Sequence, residues 1–327
     1  KRSPDTAERD LLDQMNAAMR ARAPQKIVEG TASLTESFDT VVSSRGCPFN
    51  CTFCSFTRNP WGEKRAWSAR SPESVVDEIE KIDADIVGFV DDNFTHDMDR
   101  VEAICDLLIE RGIRKRYGVN ARVEIARRPD VLRKMEQAGF VMLLLGIESA
   151  QDKTLRSMKK GFNTAKLREH FDVLGKSSML LFGYFIVGNI GETEDEMLEI
   201  APFARELGLD IIQLTMLRNE RDSGLDQLVE ANPGYHIAPN GLVYSDGYSS
   251  SQLRKIRSRI HRKFYGPGQV MKIARKGMGK GGPSLKVIGR LPGFLVGEAL
   301  AHRRRKKARR ERSREAALPQ QGCNYAG

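Results

Sequence analysis

The chain has 327 residues, of which 40% are hydrophobic and 29% charged, with a formal net charge of +10. That length suits one large α/β domain with an accessory region, and five cysteines in it exclude a disulfide-stapled secreted fold. No apolar run reaches the roughly 18 residues of a membrane-spanning helix, and the polar opening does not read as a secretory signal, so a cytoplasmic protein is the expectation.

The chain starts at Lys1, and residues 1–35, with PDTAERDLLDQMNAAMRAR, read as a helical linker cut from something longer. From about Asp39 to Leu217, short apolar runs alternate with amphipathic stretches. DTVVSS is a first strand. SPESVVDEIEKI is a helix with Ser71 as cap, Pro72 at its first position and Glu73 in the first turn, where the helix dipole favours an anion. The strand ADIVGFVD follows, then a helix over 97–111, the strand KRYGVNARV and a helix opened by Pro129. GFVMLLLG is a fourth strand, 164–175 a helix, MLLFGYFIVG a fifth strand, and a helix from Glu192 leads to the last strand, DIIQLTML. Continuous apolar runs mean strands buried on both faces, as a parallel sheet requires. Six strand–helix units predict an α/β fold, a partial (β/α)6 TIM-like barrel over 36–218, with its site at the C-terminal ends of the strands.

Beyond Leu217 the period is lost. Residues 219–301 read as a mainly helical accessory region that covers the substrate, with Arg218–Ser249 turn-rich, a helix over 250–264 and glycine-rich segments after it. Tyr235, His236, Tyr244 and Tyr248 are expected over the barrel mouth, with His236 more simply a surface residue. Residues 302–327 are a basic tail, read as disordered; 303–314 alone hold nine basic residues and one acidic, leaving +2 of the chain's +10 elsewhere. Such a run is a solvated segment or a contact to an anionic membrane or nucleic acid. Apolar residues over Leu291–Leu300 before it fit a membrane-peripheral location and a lipid-like substrate.

Three of the five cysteines fall in RGCPFNCTFCSF, at Cys47, Cys51 and Cys54, directly after the first strand. Three soft thiolates suit zinc or an iron–sulfur cluster. Structural zinc wants four ligands in two pairs, and neither Cys105 nor Cys323 has a paired cysteine or histidine nearby. A [4Fe–4S] cluster held by three cysteines leaves one iron open. A zinc knuckle or three unrelated thiols is the plainer alternative.

The spacing CxxxCxxC after strand one of a partial barrel resembles the radical S-adenosylmethionine superfamily. That resemblance implies that Cys47, Cys51 and Cys54 hold a [4Fe–4S] cluster whose open iron is chelated by S-adenosylmethionine. It places Phe53 near the adenine and GIES, with Glu148, against the nucleotide's amino group and ribose. It sets the turn IVGNIGE, with Ile186, Gly188 and Gly191, along the adenine. Asp92, in the turn FVDDNFTHD with Asp91, is expected to orient nucleotide or substrate, or to cap a helix. Arg122 and Lys160 are expected to meet the nucleotide's carboxylate, or in the case of Arg122 to form a rim salt bridge. Gln213 is expected to point into the barrel or along its wall.

SSRGCPFNCTFCS, FVDDNFTHD, NARVE, GIESA…MKKG and IVGNIGET resemble the branch that joins a cobalamin-binding domain to the radical core, the branch of class B methylases and anaerobic cyclases. Residues 1–35 hold neither a DxHxxG-like histidine nor a βα pattern. Cobalamin, if used, is therefore expected on a domain outside this chain. No second cysteine cluster follows the core, unlike peptide-modifying subgroups with auxiliary clusters. The resemblance implies reductive cleavage of S-adenosylmethionine by an electron from a flavodoxin- or ferredoxin-type donor, then hydrogen abstraction from a small-molecule or lipid-like substrate for C-methylation or a related radical reaction. Two alternatives stand beside it: a cobalamin-independent radical enzyme acting on RNA or another anionic substrate, and a non-catalytic iron–sulfur electron carrier.

Overall fold

The structure is a computed structural model that describes residues 37–58, 62–220 and 223–278. The expected linker 1–35, the apolar stretch 291–300, Cys323 and the basic tail lie outside the described residues. The chain divides into a compact unit, Lys1–Lys276, and a second unit, Gly277–Gly327.

A six-stranded sheet organises the first unit, in the order β1 (Phe38–Val41), β4 (Ile86–Phe89), β5 (Arg116–Ala121), β6 (Phe140–Glu148), β7 (Leu180–Val187), β8 (Ile211–Met216). Every neighbouring pair is parallel, and β1 and β8 are not paired with each other. The result is the open (β/α)6 barrel that the apolar runs predict. A short ribbon of β2 (Ser44–Arg45) and β3 (Ser68–Ala69) brackets the cysteine loop.

Helices α1 (Pro72–Lys81), α2 (Met98–Glu110), α3 (Pro129–Ala138), α4 (Asp152–Ser157), α5 (Thr164–Leu174), α6 (Glu194–Leu198) and α7 (Ile200–Glu206) link the strands. Their ends follow local chemistry. The Ser71 side chain accepts from Ser74 N–H at the start of α1, and Pro72 stands at its first position. Thr193 and Glu196 form a reciprocal capping box on α6. Inside, Phe89, Phe94, Tyr117 and Phe140 form an aromatic cluster with ring centroids 4.6–5.9 Å apart.

After β8 come α8 (Leu225–Glu230), a hairpin of β9 (Tyr235–Ile237) and β10 (Val243–Ser245), then α9 (Ser250–Phe264) and α10 (Pro267–Met278). The sequence pattern ends the core at 218, yet α9 serves as the sixth barrel helix. Its Leu253, Ile256, Ile260 and Phe264 are buried in the same core as the strands, against α6, α7 and β8. Ile260→Ala, which empties a fully buried site, is expected to cost about 2–5 kcal/mol of unfolding free energy. An unchanged denaturant midpoint would mark α9 as an appendage.

Candidate active site at the barrel mouth

The cysteine loop is fastened to the end of β4 by two adjacent carboxylates. Asp91, buried, accepts from Ser43 N–H at 2.7 Å and from the Ser43 and Ser44 hydroxyls at 2.5 and 2.6 Å. Burial pushes its carboxyl above the usual range, against those hydrogen bonds. Asp92 accepts from Gly46 N–H at 2.7 Å, and Arg45 Nη1 lies 3.8 Å from it. Asp92 thus grips the backbone that leads into Cys47.

Cys51 is buried and Cys47 and Cys54 are half-buried; all three are free thiols. Phe56 N–H reaches Cys54 Sγ at 3.5 Å, and the Phe49 backbone N–H works to lower the Cys47 thiol. Burial raises both thiols, Cys54 to about 11, while Lys160 near both and Arg122 near Cys47 pull them down. Among the described residues no three His, Cys, Asp or Glu converge closely enough for a single metal ion. The three cysteines instead share one loop within electrostatic reach of one another. Thiolate donors with N–H···S bonds and neighbouring cations fit an iron–sulfur cluster, whose potential such bonds tune.

Against this loop rests the turn after α4. Thr52 N–H donates to Met158 O at 3.1 Å, and Cys51 Sγ sits 3.9 Å from Lys159 O. Arg122, at the end of β5, joins three segments. Its guanidinium stacks 3.6 Å from the Phe49 ring centroid, donates to Lys160 O at 2.7 Å and forks onto Glu124 at 2.8–3.3 Å. Burial is the largest single influence on the Glu124 carboxyl and raises it, but the Arg122 hydrogen bonds and charge, a backbone N–H and the Lys160 ammonium together hold the group below its ordinary value. The salt bridge suggested for Arg122 is formed, with Glu124 as its partner.

Glu148 and Lys160 form a buried ion pair at 2.9 Å. Glu148 adopts a left-handed φ of 74°, beyond an irregularity in the β6–β7 register between Gly146 and Glu148. Gly146 makes room for the pair: a Cβ there would meet Glu148 Oε1 at 2.7 Å and Lys160 Nζ at 3.0 Å. Phe53 lies under the same ammonium, 5.8 Å from it to the ring centroid.

The turn after β7 carries Ile186, buried, and Gly188 and Gly191, both at positive φ. At Gly188 a Cβ would press on Leu253 of α9 at 2.9 Å, so the glycine admits the sixth helix. Gly188 N–H and Asn189 N–H donate to Glu192 Oε2 at 3.2 and 3.1 Å, and burial lifts the Glu192 carboxyl to about 7. Two cap tyrosines hold this turn. Tyr235 OH accepts from Gly191 N–H at 2.7 Å and Tyr248 OH from Glu194 N–H at 2.9 Å. His236 pairs at 2.7 Å with Asp246 at the exposed hairpin, beside the Tyr244 ring.

Phe53, Cys54, Glu148, Tyr184, Ile186 and Thr215 line a cavity of about 410 Å³, within the roughly 300–1,000 Å³ of small-molecule sites. Gln213, on the same face of β8 as Thr215, pairs in register with Tyr184. Tyr184, Phe49 and Glu124 were not singled out from the sequence. Glu124 was within sight, two residues after Arg122 in NARVE.

A family model described as the Radical SAM superfamily matches residues 41–204. An uncharacterised methyltransferase of Pyrococcus horikoshii is 30% identical over 240 residues, covering 70% of this chain and 51% of its own. The anaerobic magnesium-protoporphyrin IX monomethyl ester cyclase of Cereibacter sphaeroides is 32% identical over 180 residues, 53% of this chain and 29% of its own. The radical S-adenosylmethionine methyltransferase TsrM of Kitasatospora setae, solved with cobalamin and a [4Fe–4S] cluster bound, superposes at a TM-score of 0.58 with 14% identity, over 71% of this chain and 53% of that one. The chain thus spans about half the length of the first relative and less than a third of the second.

Glu148→Ala leaves the Lys160 ammonium buried without its partner and is expected to cost about 3–5 kcal/mol of stability. Glu148→Leu combined with Lys160→Met should cost less, and equal denaturant midpoints for the two variants would refute a buried pair. Glu192 binds its proton more tightly folded than unfolded, so its contribution is present below about 4.5 and lost as pH rises through about 7. Glu192→Gln should flatten that fall in unfolding free energy between the two pH values; an unaltered slope would assign it elsewhere.

Proposed function

The chain belongs to the radical S-adenosylmethionine superfamily, enzymes that bind a [4Fe–4S] cluster and S-adenosylmethionine, and from that premise we propose that it is the radical core of a cobalamin-dependent enzyme that methylates, or oxidatively closes a ring at, an unactivated carbon centre. The observation that carries this is the cavity lined by both Cys54 and Glu148. An electron carrier needs no such chamber. Relatives described as a methyltransferase and a cyclase support the choice of reactions.

A [4Fe–4S] cluster and S-adenosylmethionine held there would supply one-electron cleavage of a sulfonium carbon–sulfur bond and the hydrogen-abstracting chemistry that follows from it. Cys47, Cys51 and Cys54 hold the cluster. Asp91, Asp92 and Arg122 fix their loop in place. Phe53 and Ile186 form apolar walls for the adenine, and Gly188 and Gly191 shape the turn beside it. The Glu148 carboxylate accepts from the nucleotide's amino group or ribose, and Lys160 holds that carboxylate and offers a cation to the nucleotide's own. Phe56, Met216 and Leu217, also lining the cavity, exclude water from the reacting centre. The half-buried Cys47 and Cys54 leave the loop open to an electron from a flavodoxin- or ferredoxin-type donor. The substrate is a small, largely apolar molecule; cobalamin is assigned to no residue of this chain.

After anaerobic reconstitution with iron and sulfide, the protein is expected to convert S-adenosylmethionine to 5′-deoxyadenosine under a strong reductant, and Cys51→Ala to lose this by at least ~100-fold. A fully loaded cluster without cleavage would remove the radical reading. Formation of S-adenosylhomocysteine that requires added cobalamin supports methylation; cleavage with no response to cobalamin and no cobalamin binding removes that part alone.

A further inference from the structure

Charge in this chain is divided by position. Residues 250–327 hold 21 Lys and Arg against three Asp and Glu, a net +18, which leaves −8 of the chain's +10 on residues 1–249. The positive part begins before the tail, on the last two described helices, α9 and α10. Helix α9 carries six Lys and Arg and no acidic residue. Only Arg259 has an acidic partner among the described residues, Glu194. Arg254, Lys255, Arg262 and Lys263 are exposed and have no acidic partner among the described residues. The buried stripe of α9 is taken up by the barrel core, so these cations cover its outer arc.

Helix α10 is turned the other way round. Its polar positions face the protein: Gln269 Nε2 donates to Asp210 O at 2.7 Å, Lys272 Nζ to Gly208 O at 2.7 Å, and Lys276 Nζ to the buried Asp210 carboxylate at 2.7 Å. Positions 269, 272 and 276 define one side of a helix. Val270 and Met271 fall outside it and are 48% and 68% exposed. Two apolar side chains therefore stand in solvent, six and seven residues of chain past a helix whose outer arc is cationic.

We propose that α9 and α10 form a docking surface for an anionic phospholipid membrane, the cations meeting headgroups and Val270 and Met271 entering the acyl boundary. The proposal is independent of the reaction catalysed. A nucleic acid would satisfy the charge but not the rest. Binding of single strands rests on exposed aromatic rings that stack on bases, and these helices present none. Phe264 is buried, and the Tyr265 hydroxyl is bonded to the Ile212 backbone at 3.0 Å in both directions. Exposed aliphatic side chains on one helix, and on the helix before it cations with no acidic partner among the described residues, are what a lipid interface takes.

The test uses the whole chain with its tail intact, sedimented with vesicles of phosphatidylcholine alone or mixed with phosphatidylglycerol at low salt. Binding is expected to the mixed vesicles only. Arg254→Glu, Lys255→Glu, Arg262→Glu and Lys263→Glu together should weaken it at least ~10-fold, since each cation near such a surface contributes measurably. Val270→Asp with Met271→Asp should also weaken it. Met271→Trp needs no charge reversal and guards against a misfolded variant: its emission, relative to the parent protein, should shift to the blue on mixed vesicles. Absence of binding, unaltered binding in the fourfold variant, or an unshifted Met271→Trp in sedimented protein would each overturn the proposal. So would tighter, equally Arg254-dependent binding to a single-stranded RNA homopolymer.

Discussion

One buried guanidinium holds the barrel mouth together. Arg122 leaves the end of β5 and meets the cysteine loop through Phe49, the turn after α4 through Lys160 O, and its own strand end through Glu124. A planar cation with five donors can stack and bond in several directions at once, which an ammonium cannot. Because Lys160 O is held, the Lys160 ammonium is delivered to Glu148 on the next strand. The thiolates, the cation and the carboxylate are therefore positioned by one connected set of contacts spanning β1, β5 and β6. Two carboxylates, Asp91 and Asp92, fasten the same loop from β4.

The opposite side of the mouth is built by residues past the last strand. The hairpin of β9 and β10 and the start of α9 send Tyr235 and Tyr248 to the turn at 188–194, where their hydroxyls satisfy backbone N–H groups of a sharply bent segment. Gly188 yields its side-chain space to Leu253 of α9. The turn is thus shaped from outside the barrel, and α9 acts at once as its sixth wall and as the support for the cavity's rim. A segment that begins as a cap ends as core.

Much of the fold was legible because buried parallel strands are short apolar runs and because Ser71, Pro72 and Pro129 mark helix starts by mechanism. The role of α9 was not. Its stripe of Leu253, Ile256, Ile260 and Phe264 announces an amphipathic helix but not what the stripe packs on, and the lost period after Leu217 pointed to a separate layer. Strands of two or three residues, such as β2, β3, β9 and β10, are too short to show alternation. In the site, the cysteine loop was plain from spacing. Asp92 was visible as a residue but not as a clamp on Gly46, because its partner lies 46 positions away. Tyr184 was hidden for a different reason: in LLFGYFIV both faces are apolar, and no period reveals which side chains look into the barrel.

The sequence GIES acquires its meaning only from the backbone. A carboxylate that must lie back over the strand end requires the left-handed φ of Glu148, a conformation that costs a non-glycine residue of order 1–3 kcal/mol. It also requires a bare Cα beneath it, because any side chain at Gly146 would occupy the space of Glu148 Oε1 and Lys160 Nζ. Glycine and glutamate two residues apart are therefore one device. The buried ion pair alone is weak evidence for stability, since desolvation of both charges opposes their attraction. A strained backbone, an emptied Cα and a desolvated pair at one point oppose folding together, and they are retained where a charged group must face a cavity. That cavity is the one bordered by Cys54.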